Sequence, residues 1–152
     1  MTRSIVVGTD GSETIASRGG GMSDYTVKRI DDMEAVYAGH FKRARAELGI
    51  ESFGMQVIDM PSWAHQHPEH DHAHDGQEEV YLALRGDGEI EIEGERHRLD
   101  PDTMVRVGPT VRRKLWPGAD GMRVLIVGGR PGRVYEPPEV SKLGAPDPLA
   151  HR

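Results

Sequence analysis

The chain has 152 residues, a formal charge of -6 at pH 7 and no cysteine. This length suits one domain with a sizeable core and is short for two, and the acidic balance speaks against a nucleic-acid partner, because phosphate-backbone binding draws on a basic surface. Without thiols there is neither a disulfide frame nor a thiolate nucleophile; no apolar run approaches the roughly 20 residues of a membrane helix, and the N-terminus lacks a signal-peptide pattern, so no membrane partner is expected and a cytoplasmic location is.

Residues 1–21 begin with a short β-like run, Ile5 to Val7, and then dissolve into Gly, Ser and Thr, which reads as a flexible extension ahead of a second Met at Met22. The run from Ile5 to Ser12 resembles the opening strand and turn of universal stress proteins. No helix pattern and no Gly-rich phosphate loop follow it, so nucleotide binding is not expected. From Tyr25 to Ile30 the alternation suits a short strand, and Asp31 or Asp32 offers an N-cap to a helix holding Met33, Val36 and Tyr37. Gly39 interrupts that helix. A second short helix is expected from Phe41 to Leu48, with Phe41, Ala44 and Leu48 on one side and Gly49 as its cap.

Everything after Ser52 reads as β. The segments Phe53 to Met60, Val80 to Arg85, Glu89 to Glu93, Arg96 to Leu99, Met104 to Val107, Val111 to Trp116 and Met122 to Val127 are short and punctuated by Gly, Pro or Asp. Such spacing predicts an all-β sandwich or barrel. Gly86-Asp87-Gly88 and Glu93-Gly94-Glu95 can each supply the positive φ of a tight hairpin. In the run from Glu89 to Glu93, alternation puts both isoleucines on one face and the glutamates on a solvated one. After Gly128 the chain turns rich in Pro and Gly, which cannot continue a regular sheet far. Residues 131–152 are expected to form an arm or tail outside a barrel spanning 22–130.

Between His65 and Gly86 lie five of the eight histidines, just ahead of an apolar run that reads as a buried strand. Imidazole nitrogens and carboxylate oxygens converging beside a rigid strand can hold a divalent metal. A solvated histidine-rich loop has the same composition. His65, His67, His40, His97 and His151 read as surface histidines. Within Arg112-Arg113-Lys114, a strand sends Arg113 to the face opposite its neighbours.

The residues His72-Ala73-His74, then Glu79, then Gly86 resemble the first signature of the cupin superfamily, H-x-H-x(3,4)-E-x(6)-G. The stretch from Gly94 to Pro109 resembles the second, with Leu99 to Thr103 at the usual turn and Val105 and Val107 alternating inward. The resemblance implies a double-stranded β-helix, or jelly-roll barrel, over residues 50 to 128, with one or two short N-terminal helices. Two histidine registers fit. Spacing down to Glu79 and Gly86 selects His72 and His74, whereas spacing from the end of the Met60 strand selects His70 and His72, with Gln77 then also facing the site. The further histidine that cupins carry on a later strand is replaced here by Arg113.

Candidate metal ligands are therefore His70, His72, His74 and Glu79, and candidate substrate contacts are Arg113 and Gln77. Two histidines and one carboxylate leave coordination positions open and suit Fe, Mn, Ni or Zn, while the guanidinium adds positive charge that favours an anionic ligand. The resemblance implies a metal-dependent enzyme of dioxygenase or isomerase type acting on a small molecule, or a metal-free binding or sensing cupin. It also implies a homodimer paired through sheet edges. No organic cofactor is expected.

Overall fold

The computed structural model describes residues 23–150. The Ile5 to Ser12 run, the extension over 1–21 and His151 lie outside the described residues. Within them a seven-stranded antiparallel sheet dominates: β1 (Ala35–Val36), β2 (Phe41–Lys42), β3 (Gly54–Met60), β4 (Glu78–Ile92), β5 (Glu95–Leu99), β6 (Met104–Val107) and β7 (Arg113–Gly129), with a single α-helix, α1 (Ala44–Leu48). The order is β1-β2-β3-β7-β4-β5, and β6 pairs with β4 beside the half that β5 leaves free.

The long strands β4 and β7 each absorb two of the segments expected from the sequence. Gly86-Asp87-Gly88 is therefore not a hairpin turn, as its composition suggests, but a bend inside β4 where the register against β7 shifts. The reason is close approach. A Cβ on Gly86 would stand 2.2 Å from the Gly121 carbonyl oxygen, and one on Gly88 2.3 Å from that of Trp116, so glycine lets two backbones meet where the strands curl together. Glu93-Gly94 does turn the chain, with φ of 51° and 88°, and joins β4 to β5 as expected.

Alternation along these strands builds two apolar layers. Met60, Tyr81, Ile90, Leu99, Val107, Leu115, Val124 and Ile126 form the main core, and Val105 and Ile92 pack against it. Each such fully buried aliphatic side chain contributes about 1.5–3 kcal/mol. On the other face, Val57 and Leu125 meet Met33, Ala44 and Leu48 in a smaller cluster beneath the N-terminal segment.

That segment departs most from expectation. Residues 25–29 form no strand, since no neighbour pairs with them, and Ile30–Asp32 makes one 3-10 turn. The helix expected around Met33, Val36 and Tyr37 is instead the small hairpin β1–β2, which adds to the sheet through β3. Tyr37, Ala38 and Gly39 all take left-handed φ (55°, 57° and 87°) to make its turn. Two consecutive non-glycine residues there are unfavourable on local grounds. They are held from far along the chain, by Asp147 accepting from the Tyr37 N–H at 3.0 Å. The second helix is confined to Ala44–Leu48 because Phe41 and Lys42 join the sheet, and Gly49 ends it in the left-handed conformation.

After Gly129 the chain follows the surface with only a 3-10 turn at Glu139–Ser141. It is tied down by Arg43, just 1% exposed, which donates from Nε to the Val140 carbonyl at 2.9 Å and from Nη2 to that of Ala145 at 2.6 Å, and pairs through Nη1 with Glu34.

Candidate metal centre

The histidine-rich loop, residues 61–77, leaves β3 and enters β4, and its backbone is clamped to the opposite side of the barrel. His70 and Arg113 exchange two backbone hydrogen bonds, of 3.0 and 2.9 Å, and the His72 N–H donates to the Pro109 carbonyl at 2.7 Å. The segment from His70 to His72 is thus held extended, and residues two apart share a side. Asp71 closes an Asx turn by accepting from the Ala73 N–H at 3.0 Å, and the His72 carbonyl accepts from Asp75 and Gly76, which turns the chain toward β4.

One ligand atom from each of His70, His72 and Glu79 lies within 4.8 Å of the other two. The outer nitrogen of each imidazole is already engaged. His70 Nδ1 sits 3.2 Å from the Pro68 carbonyl, which as an acceptor requires Nδ1–H and leaves the lone pair on Nε2. His72 Nδ1 meets both oxygens of Asp75, at 3.0 and 3.1 Å, while Nε2 lies 3.2 Å from Glu79 Oε1. Asp75 is itself fixed by Gln77, whose backbone N–H and amide nitrogen donate to it at 3.1 and 2.8 Å.

Glu79 is buried, with its two oxygens in different company. Tyr81 donates its hydroxyl to Oε2, and Arg113 Nε stands 3.9 Å from the same atom, so Oε1 is left facing the histidines. Burial pushes the Glu79 carboxyl up, but hydrogen bonds from His72 and Tyr81 and the charge of Arg113 outweigh it and hold the group below its usual range. The Glu79 hydrogen bond raises the His72 pKa against the pull of burial, and Asp75 adds to the rise. Burial lowers His70. It lowers His67 further, to about 4, with the neighbouring His70 adding to the effect. Tyr81 stays protonated because burial and the adjacent carboxylate both oppose its ionisation.

A cupin protein (BF4112) from Bacteroides fragilis has the same architecture, with a TM-score of 0.60 and 21% identity over 77% of this chain and 93% of that one. The chain has the cupin fold. Two partial likenesses are the DMSP lyase DddQ from Ruegeria pomeroyi (25% identity, TM-score 0.46, 51% of this chain and 38% of that one) and a Cupin_2 domain of an XRE family transcriptional regulator from Enterobacter cloacae (22%, 0.45, 53% and 83%). No known family pattern and no curated protein matches the sequence. Among the described residues no helix is long and apolar enough to cross a membrane.

In this cupin both histidine registers bring ligand atoms within 4.8 Å of one another, His70 and His72 with the buried Glu79, and His72 and His74 with the half-buried Asp75. His74 is 74% exposed, its ring stacked on His72 with centroids 5.9 Å apart, and its Nε2 lies 3.4 Å from Asp75 on the outer side of the loop. Arg113 points inward as strand alternation requires, while Arg112 lies outside against Glu69 and Lys114 over the Trp116 ring. Gln77 is buried, its amide nitrogen engaged with Asp75.

The donor set of two nitrogens and one oxygen fits a divalent transition metal with open positions, and the Pro68 carbonyl and Asp75 provide the outer hydrogen bonds that orient such ligands. Three contributors were not singled out in the sequence. Tyr81 shares the Glu79 face at i+2, so alternation alone could have flagged it. Asp75 orients His72 through a local turn that composition does not reveal. His67, expected at the surface, is instead half-buried beside His70, because the loop folds back on the barrel, with ring centroids 6.0 Å apart and a buried Nδ1 that has no hydrogen-bond partner among the described residues.

Proposed function

We propose that this cupin-fold chain holds a divalent metal on His70, His72 and Glu79 and acts as a metal-dependent enzyme on a small organic molecule. The observation that carries the reading is the convergence of those three side chains with the outer imidazole nitrogens already tied down. Ligands oriented in advance lose little freedom on binding. An Fe, Mn, Ni or Zn ion held there would supply Lewis acidity or redox chemistry, with coordination positions open to substrate and water.

The chain's own residues set the rest. Tyr81 keeps one Glu79 oxygen occupied, so the carboxylate presents the other. Arg113 is fully buried, with Nη1 and Nη2 directed at the His70 and Gly108 carbonyls at 3.4 and 3.1 Å. Among the described residues its Nε has no hydrogen-bond partner, and its buried positive charge favours an anionic substrate in the site. Gln77 acts on the site through Asp75. A homodimer paired through sheet edges in the cytoplasm completes the proposal.

The fixed charge of Arg113 favours a second reading. A cation 3.9 Å from the ligand carboxylate opposes metal binding, and the barrel would then be a metal-free module that binds or senses a small anion. Elemental analysis of untagged protein beside Glu79→Ala separates the two. The first reading expects a stoichiometric transition metal that disappears in the variant. Its failure would be a wild-type protein that takes up none of Fe(II), Mn(II), Ni(II) or Zn(II) on reconstitution.

A further inference from the structure

Outside the metal centre, on the far side of Asp75, the histidine loop and the chain just beyond β7 border an open polar cleft of about 300 Å³ lined by His74, Asp75, Gly76, Arg130, Pro131 and Arg133. That volume is at the low end for a small-ligand site and ample for an ion-sized group. Its charge is uneven. Asp75 is already matched by His72 and Gln77, and the remaining charged side chains of the lining are two guanidinium groups, with His74 beside them.

Arg130 carries the argument. Its side chain is 17% exposed, and its Nε–H is buried with no hydrogen-bond partner among the described residues. Its ion pair is a 3.4 Å approach of Nη1 to Glu136, a carboxylate 82% exposed, and such a pair in water contributes little. A guanidinium drawn out of water with a donor unspent loses hydration that nothing here restores. The planar fork of Arg130, with the exposed Arg133 across the cleft, matches the geometry and charge of an oxyanion, which would supply acceptors to both.

We infer that this cleft is a binding site for a small oxyanion, the phosphate or carboxylate group of a ligand, held by Arg130 and Arg133. It stands independently of the His70, His72 and Glu79 reading, because neither Arg130 nor Arg133 belongs to that set, although His74 and Asp75 in its lining form with His72 a second group of ligand atoms within 4.8 Å of one another. It does adjoin that set, since Asp75 lines the cleft with one face and orients His72 with the other.

The test is thermal unfolding of the metal-free, full-length chain in inorganic phosphate or in malonate, against sodium chloride at equal ionic strength and pH. At tenfold over Kd, binding raises Tm by about 3–6 °C for a domain of this size. The increment disappears in Arg130→Gln and shrinks in Arg133→Gln, whose exposed side chain makes it a variant that keeps the fold. A rise with phosphate alone assigns a phosphoryl ligand, and a rise with malonate assigns a carboxylate one. Equal Tm in all three salts, or an undiminished increment in both variants, overturns the site whatever the metal analysis shows.

Discussion

Two buried arginines in this molecule have nearly the same accessibility and opposite hydrogen-bond balances. Arg43 joins the N-terminal hairpin to the C-terminal arm, and each of its three guanidinium nitrogens meets an oxygen: Val140, Glu34 and Ala145. Arg113 lies at the start of β7, and its Nε, beside Glu79, has no hydrogen-bond partner among the described residues. A saturated buried cation works as a clasp, since all its hydrogen-bonding capacity is consumed by the fold. A cation with one spare donor next to a buried carboxylate holds the loop and also sets the field in which a ligand is bound.

The largest expected effect breaks the clasp. Arg43→Met strands the Val140 and Ala145 carbonyls, at about 1–3 kcal/mol each, while the half-exposed Glu34 keeps the Gly144 N–H, so a loss of about 3–5 kcal/mol is expected in urea unfolding. A loss below about 1 kcal/mol would show that the arm is held by other contacts. Arg113→Met removes two longer hydrogen bonds and should cost less, about 2–3 kcal/mol; a larger loss than in Arg43→Met would invert the comparison.

Next comes a pH dependence in which the site's histidines take part. His67 has its folded pKa depressed from the ordinary 6.5 to about 4, so its contribution is present above 6.5 and is lost as the pH falls toward 4. His72 is raised, so its contribution is present below 6.5 and is lost as the pH rises through the raised value. Metal-free protein should therefore be most stable near the ordinary histidine pKa. Its acid limb, worth about 3 kcal/mol at pH 4, should flatten in His67→Phe. Urea midpoints across pH 4 to 9 measure both limbs, and an unchanged acid slope in the variant assigns that limb to other groups.

The smallest change refines the view of Glu79. Tyr81→Phe deletes only the hydroxyl that occupies Oε2, so it should cost about 1 kcal/mol in stability. Metal affinity should fall by roughly 10-fold or more, because the carboxylate is no longer aimed. Titration calorimetry with Zn(II) reads this; equal affinity would mean that burial by itself orients Glu79.

Much of the barrel was legible. Val105 and Val107 turn inward beside an outward Arg106, Arg113 turns inward between two outward cations, and Glu93-Gly94 makes its hairpin, because side-chain period and turn chemistry act over a few residues. The two histidine registers were not separable that way, since both satisfy the spacing to Glu79. That His70 and His72 stand beside Glu79 comes from the ladder between His70 and Arg113 and the bond from His72 to Pro109, partners about 40 residues away in sequence.

The hairpin at Ala35–Lys42 shows the same limit. Its local pattern suits a helix, and the left-handed residues Tyr37 and Ala38 are tolerated because Asp147 reaches back from the C-terminal arm. The glycines at 86 and 88 read as a turn and proved to be a point of backbone contact. By itself, then, the amino-acid sequence determined the all-β class, most of the strands, the inward face of each and the small set of metal-type side chains, all of which follow from local periodicity and chemistry. The tertiary structure decided which histidines meet Glu79, what occupies each guanidinium nitrogen and where the chain bends, because those depend on groups that only folding brings within hydrogen-bond reach.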